Sequence, residues 1–284
     1  MINAALAMEG GSLRCMFTSG IVDVFMENDM YFSYVSGVSA GSLTGANYIS
    51  KQIGRTADVN LSYINDKRYV GFDPLLKHHM IFNFDFLLEE IGGKLNPFDY
   101  ETFNNSEQRF SCVATNVRTG KPEVFEKGVC SEILTAVRAS SSLPLLSKMQ
   151  DLNDEKYLDG GFTMPIPYKV CMKEGYDKIV VITTRHKGFR KLPVSKAMIS
   201  AYKAAYHNYP KLVKALIDTP RTYNAYMREL DKLEEEGKIF VIRPKEPITI
   251  SRVEKDTEKL KALYAEGRQV GEEVLDSLKS YLEI

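Results

Sequence analysis

The chain has 284 residues, 44% of them hydrophobic and 26% charged, which is enough apolar material for one large α/β domain or two ordinary ones. Thirty-seven basic residues balance thirty-seven acidic ones, and that balance argues against a nucleic-acid partner. No apolar run approaches the roughly 20 residues of a membrane-spanning helix. No leader of the basic-then-apolar kind opens the chain, and Cys15, Cys112, Cys130 and Cys171 form neither a C-x-x-C pair nor a zinc-like spacing with His78, His79, His186 or His207. The expectation is a cytoplasmic, soluble protein with reduced thiols and no metal.

In chain order, Ile2–Met8 reads as a short buried strand and ends in Glu9-Gly10-Gly11-Ser12-Leu13-Arg14-Cys15. A helical pattern follows from Met16 to Asn28, with Phe17, Ile21, Val24 and Phe25 on one side. Two glycines between a strand and a helix turn successive N–H groups toward one point, which suits an anion or an oxyanion. A phosphate loop is the competing reading, but both G-x-G-x-x-G and the P-loop pattern are absent. The aromatic, β-branched run from Tyr31 to Ser36 then predicts a second strand, which enters Gly37-Val38-Ser39-Ala40-Gly41 and a small-residue helix to about Lys51. Strand, G-x-S-x-G and helix together describe a nucleophile elbow, with the serine exposed at the end of a sheet strand. The plainer alternative is a turn whose serine only caps a helix.

From Lys51 to Asn105 the pattern is irregular, and its most apolar patch, Met80 to Leu88, reads as core or as the wall of an acyl-chain site. Arg109 to Ala114 and Glu123 to Phe125 flank a turn and predict a hairpin. A helical stretch from Ser131 to Ser140 runs into Ala139-Ser140-Ser141-Ser142-Leu143-Pro144, and a short strand at Lys156 to Asp159 delivers Asp159 onto Gly160-Gly161. A helix around Ile166 to Glu174 precedes a buried strand at Lys178 to Thr184. Tyrosine-rich helical material follows, broken by Pro210 and Pro220, then an edge strand at Ile239 to Pro244 and a charged amphipathic helix from Val253 to Leu282. Residues 185–228 hold ten Lys/Arg against one acid, Asp218. Such a segment reads as a face for anionic lipid headgroups or as a solvated basic surface.

Three of these blocks, in this order, resemble the patatin-like phospholipases, a family of serine lipid acyl hydrolases. They are the glycine-rich loop closing on Arg14, the Gly37 to Gly41 elbow, and Asp159-Gly160-Gly161. Ala139 to Pro144 is similar to a fourth family block, and the resemblance runs from about Leu6 to Thr184. It implies a three-layer α/β/α sandwich with a mostly parallel sheet, and a catalytic core at 1–184 with a mainly helical extension, 185–284, packed on it as one structural unit. It also implies a Ser39–Asp159 dyad, an oxyanion hole from Gly10, Gly11 and Ser12, and support from Arg14, Gly37, Gly41 and Gly160. The substrate would be a lipid or other acyl ester, and the chemistry requires no cofactor. The chain departs from the family pattern at Ser12 and Cys15, which replace the usual glycines. A backbone N–H survives both changes, yet Ser12 is costly if its φ is positive, and Cys15 near a helix N-terminus is a candidate for a lowered pKa.

An unperturbed aspartate, with a pKa of about 3.9, is a poor base at neutral pH, so the site has to raise Asp159 by burial or rely on placement. Two rivals stand beside the dyad. Ser39, Asp159 and His186 follow the chain order of an α/β-hydrolase triad, although the elbow arrives after only two strands. Alternatively, the fold serves as a non-catalytic lipid-binding module. An acyltransferase would share the same acyl-enzyme and differ only in the acceptor.

Overall fold

The apolar, β-branched runs of the sequence pair edge to edge in one eight-stranded sheet, seen in a computed structural model that describes residues 1–284. The strands are β1 (Ile2–Met8), β2 (Phe32–Val38), β3 (Arg109–Asn116), β4 (Pro122–Glu126), β5 (Gln150–Leu152), β6 (Glu155–Asp159), β7 (Ile179–Ile182) and β8 (Ile239–Ile242). Their order is β5-β6-β3-β2-β1-β7-β8, with β4 also on β3. The central pairs β3-β2, β2-β1, β1-β7 and β7-β8 are parallel, and β3-β4, β3-β6 and β5-β6 are antiparallel.

Strand alternation divides the core into two faces. Ala4, Leu6 and Met8 of β1 belong to one apolar cluster with Phe17, Ile21 and Leu263, while Ala5 and Ala7 belong to another with Tyr168, Tyr223 and Met227. The helices are α1 (Cys15–Glu27), α2 (Ala40–Ile49), α3 (Arg55–Tyr63), α4 (Phe72–His78), α5 (Tyr100–Asn105), α6 (Ile133–Ser140), α7 (Tyr168–Lys173), α8 (Lys196–Ala205), α9 (Pro210–Glu235) and α10 (Thr257–Leu282), with a π-type helix at Phe86–Leu95. The result is a sheet sandwiched between helical layers, a mixed α/β fold with a largely parallel centre and a helical C-terminal region. No helix is long and apolar enough to cross a membrane.

The sequence places an apolar stripe on the first helix, but residues 15–26 of α1 are buried on every side. The cause is α10, which lies across the face of α1 that would otherwise meet water. The close approach uses glycine: a Cβ built at Gly267 would stand 2.1 Å from the Phe17 carbonyl oxygen, and one at Gly20 would stand 2.4 Å from that of Tyr264. The expectation that Pro220 breaks a helix is corrected. Pro210 opens α9 at its first position, where its missing N–H has no helical partner anyway, and the helix then runs through Pro220 to Glu235. An internal proline costs about 3 kcal/mol. Burial of Leu212, Leu216, Tyr223, Met227 and Leu230 along one side of α9 outweighs it.

Candidate active site

Register brings the site together. Met8 pairs with Gly37, Val38 with Val113, and Ala114 with Asp159. The exits of β1 and β2 and the end of β6 therefore meet at one edge of the sheet, although residues 10, 39 and 159 are far apart in sequence.

Ser39 joins β2 to α2 with φ 55° and ψ −131°, a conformation few non-glycine residues adopt. Several bonds hold it there. Its N–H donates to Ser140 Oγ at 2.9 Å, and that hydroxyl in turn donates to the Val113 carbonyl at 2.6 Å. Its carbonyl accepts from the Ser42 N–H at 2.8 Å and from Ser42 Oγ at 2.6 Å. Ser39 Oγ is thereby aimed at Asp159 and donates to Oδ2 at 2.6 Å.

Asp159 is fixed as firmly. Oδ1 accepts from the Gly161 N–H at 2.7 Å, its own N–H donates to Ser142 O at 2.8 Å, and its carbonyl accepts from Thr115 Oγ1 at 2.9 Å. Gly160, at the turn, backs directly onto the Val113 carbonyl. Burial pushes the Asp159 carboxyl up to about 6, against the opposing pull of its bonds to Ser39 and Gly161.

The glycine loop faces this pair. Gly10 must be glycine because a Cβ there would lie 2.8 Å from the Ser39 Cβ. Gly37 and Gly41 bracket the elbow, with Gly41 against the carbonyls of Met8 and Glu9. The N–H groups of Gly10, Gly11 and Ser12 donate to no other group of the chain, and they lie on the wall of a cavity that Ser39 and Asp159 also line. Ser12 has φ 50°, the left-handed conformation that glycine supplies without strain. Ser12→Gly is therefore expected to stabilise the protein by about 0.5–1 kcal/mol, read as a higher urea midpoint at unchanged m-value.

Glu9 ties the loop to the other layers. Its Oε2 accepts from the Thr184 N–H at 2.6 Å and its Oε1 from the Tyr223 hydroxyl at 3.0 Å, and burial raises its pKa. Cys15 does not have the lowered pKa its position at a helix start suggests: enclosed in the core, its thiol is pushed up to about 12. Arg14 is partly buried and lines the cavity, and burial, reinforced by Arg185, brings it down to about 10. No group of three or more His, Cys, Asp or Glu side chains is placed to hold a metal ion.

Two spaces open from Ser39. One, about 350 Å³, is lined by Gly10, Gly11, Arg14, Asp159, Lys191 and Arg252 among others and reaches the exposed residues Ser195 and Met198. The other, about 60 Å³, is mainly apolar, with Leu13, Met16, Leu43, Phe82, Phe84 and Leu87 in its wall. It continues into a further apolar pocket of about 70 Å³ through the shared residues Leu43, Tyr69 and Leu87. The Met80 to Leu88 patch thus supplies both core and cavity wall. His186 stands apart: its Nδ1 is 2.7 Å from the Lys187 carbonyl oxygen, and it lines neither space. Sequence reasoning missed Glu9 and the bracing bond of Ser140 to Ser39. It also missed Arg252, which lies in an irregular connection with no motif around it.

Comparison with known proteins matches residues 6–172 to the family model described as patatin-like phospholipase and residues 209–283 to a domain of unknown function, DUF6363. The chain is 30% identical over 188 residues to the uncharacterized protein YjjU of Escherichia coli strain K12, covering 63% of this chain and 51% of that protein. It thus spans about half the length of the curated relative. The crystal structure of VipD from Legionella pneumophila superposes with a TM-score of 0.49 at 13% identity, covering 98% of this chain and 67% of VipD.

Proposed function

The chain belongs to the patatin-like phospholipase family, and from that footing we propose that it hydrolyses carboxylic esters of lipids through Ser39 and Asp159. One observation carries the reading: the 2.6 Å hydrogen bond from Ser39 Oγ to Asp159 Oδ2, made beside the unpaired N–H groups of the glycine loop.

Ser39 Oγ attacks the acyl carbonyl while Asp159 Oδ2 takes its proton. Negative charge develops on the carbonyl oxygen, and the N–H groups of Gly10, Gly11 and Ser12 are the donors that stabilise it. Arg14 adds positive potential without having to move a proton. Collapse of the tetrahedral intermediate breaks the ester C–O bond, and Asp159 returns the proton to the leaving alkoxide. Water then attacks the acyl-enzyme by the same route in reverse, with Asp159 again as base. Residues 1–184 supply these groups, while residues 185–284 close the wide cavity and act with them as a single unit. The apolar space beside Leu43 receives the acyl chain.

Activity requires Asp159 ionised. With its pKa raised to about 6, kcat/KM on a neutral ester is expected to climb as pH rises through about 6 and to level off above it. The decisive experiment combines turnover with covalent trapping. Wild type and His186→Ala are expected to cleave a medium-chain nitrophenyl ester comparably, and an alkyl fluorophosphonate is expected to add its mass to the Ser39 peptide, with none added in Ser39→Ala. Loss of activity in His186→Ala would replace the dyad with a triad. Wild type inert on esters of several lengths would leave a lipid-binding module instead.

A further inference from the structure

Four cations line the wide cavity without a carboxylate partner: Arg14, Arg185, Lys191 and Arg252. None of them joins an ion pair, whereas Lys187 and Arg190 from the same basic segment pair with Glu234 at 3.3 Å and Asp231 at 2.9 Å. The Nε of Arg14 is buried with no hydrogen-bond partner. Arg185 rests on the Phe189 ring, 4.4 Å from its centroid, and Lys191 Nζ sits 4.3 Å from that of Tyr223. An aromatic face orients a cation but does not neutralise it.

The cavity's two carboxylates are already committed, Glu9 to Thr184 and Tyr223, and Asp159 to Ser39 and Gly161. Four positive groups against two negative ones leave an excess of two positive charges. Burial brings Lys191 down to about 8, with Glu9 pulling it up and Arg252 and Arg14 pushing it down, and at Arg14 the repulsion from Arg185 and Arg252 likewise opposes the pull of Glu9. The cluster is assembled by the fold from four places. Arg14 follows β1, Arg185 follows β7, Lys191 leads to α8, and Arg252 lies between β8 and α10. The last connection is itself anchored, because Lys255 Nζ donates to the Val70 carbonyl at 2.8 Å and Asp256 caps α10.

Ser12, Ser39 and Leu143 line both this cavity and the apolar one, so a substrate ester at Ser39 has its acyl chain on one side and its alcohol among the cations on the other. We infer that Arg14, Arg185, Lys191 and Arg252 form a phosphate site, and that the preferred substrate is a single-chain acyl ester whose alcohol carries a phosphomonoester. Two excess positive charges match that dianion, and a zwitterionic phosphocholine head would bring a cation into a place that already has too many. The substrate assignment rests on Ser39 being the nucleophile, but the phosphate site does not.

The test has two arms. In the first, wild type is expected to cleave lysophosphatidic acid with kcat/KM on the order of 10²-fold above the monoacylglycerol and the lysophosphatidylcholine of the same chain. Lys191→Met and Arg252→Gln are each expected to shrink that preference about tenfold, mainly through KM, and added salt to shrink it in wild type. Arg252 is exposed, so its variant guards against a misfolded Lys191→Met. In the second arm, inorganic phosphate is titrated calorimetrically into Ser39→Ala, with and without Lys191→Met; heat is expected only where Lys191 is present. Phosphate binding without any headgroup preference would keep the site and assign it to free phosphate, overturning the substrate class. Neither binding nor preference would overturn the inference. If no ester is cleaved at all, the hydrolase reading falls and the titration still decides the site.

Discussion

Asp159→Asn is expected to lower kcat on a medium-chain ester about 10²–10⁴-fold, the range a positioned general base contributes, while making the protein more stable at pH 8. The amide preserves the geometry: its oxygen accepts from the Gly161 N–H and its NH₂ meets Ser39 Oγ, but it cannot take a proton. The stability gain follows from burial. The native carboxyl has a pKa raised to about 6, against 3.8 for the free side chain. The folded state therefore holds this proton more tightly, and the stability so contributed is present below about pH 4 and lost as pH rises through about 6. At about 1.4 kcal/mol per pH unit, keeping the carboxylate buried above that window costs roughly 3 kcal/mol. Asparagine has no such charge. Melting curves should show the variant ahead by about 1–3 kcal/mol at pH 8, with the gap narrowing as pH falls toward 4. A variant no more stable than wild type at pH 8 would mean the carboxylate is better solvated than its enclosure implies.

Gly267→Val is expected to destabilise the fold by about 3 kcal/mol or more, the upper range for forcing atoms into a packed interface. The obstacle is backbone and not a side chain that can swing away: the added Cβ would fall 2.1 Å from the Phe17 carbonyl oxygen. At roughly 2–4 °C per kcal/mol, Tm should drop by about 6–12 °C. Gly93→Ala is the control, because nothing lies within 4 Å of a Cβ there. If both variants melted alike, α10 would not be held against α1 by close backbone contact. Because α1 begins where the glycine loop ends, the Gly267 variant should also lose activity at temperatures below its own melting point.

The parts of the site that are legible in the sequence are those made by local chain geometry. A buried strand, a glycine-flanked serine and a small-residue helix describe the elbow, whereas Asp-Gly-Gly after a short strand is by itself only a turn signal and points to Asp159 through the order of blocks that resembles the family. What puts Asp159 two strands from Ser39 is the antiparallel return of β6 onto β3, a long-range pairing with no local signature. The positive φ of Ser12 is flagged only by the departure from a family glycine, because a serine by itself gives no sign of left-handed backbone. Arg252 gives no hint of its place, which is set by how α10 docks. Pro220 misleads because propensity is local, while the apolar side of α9 is satisfied by the whole opposite layer.

That two spaces meet at Ser39 also fixes an order of departure. Once the proposed acyl-enzyme forms, the alcohol lies in the arm that opens at Ser195 and Met198, while the acyl chain is lodged in the interior among Leu43, Phe84 and Leu87. The alcohol diffuses away first, and the water of the second half-reaction arrives through the passage it vacates. The fatty acid is released last. Its new carboxylate would form at Ser39 in a cavity that Arg14 and Lys191 also line, so free fatty acid of matching length is expected to inhibit the enzyme, less so at high salt.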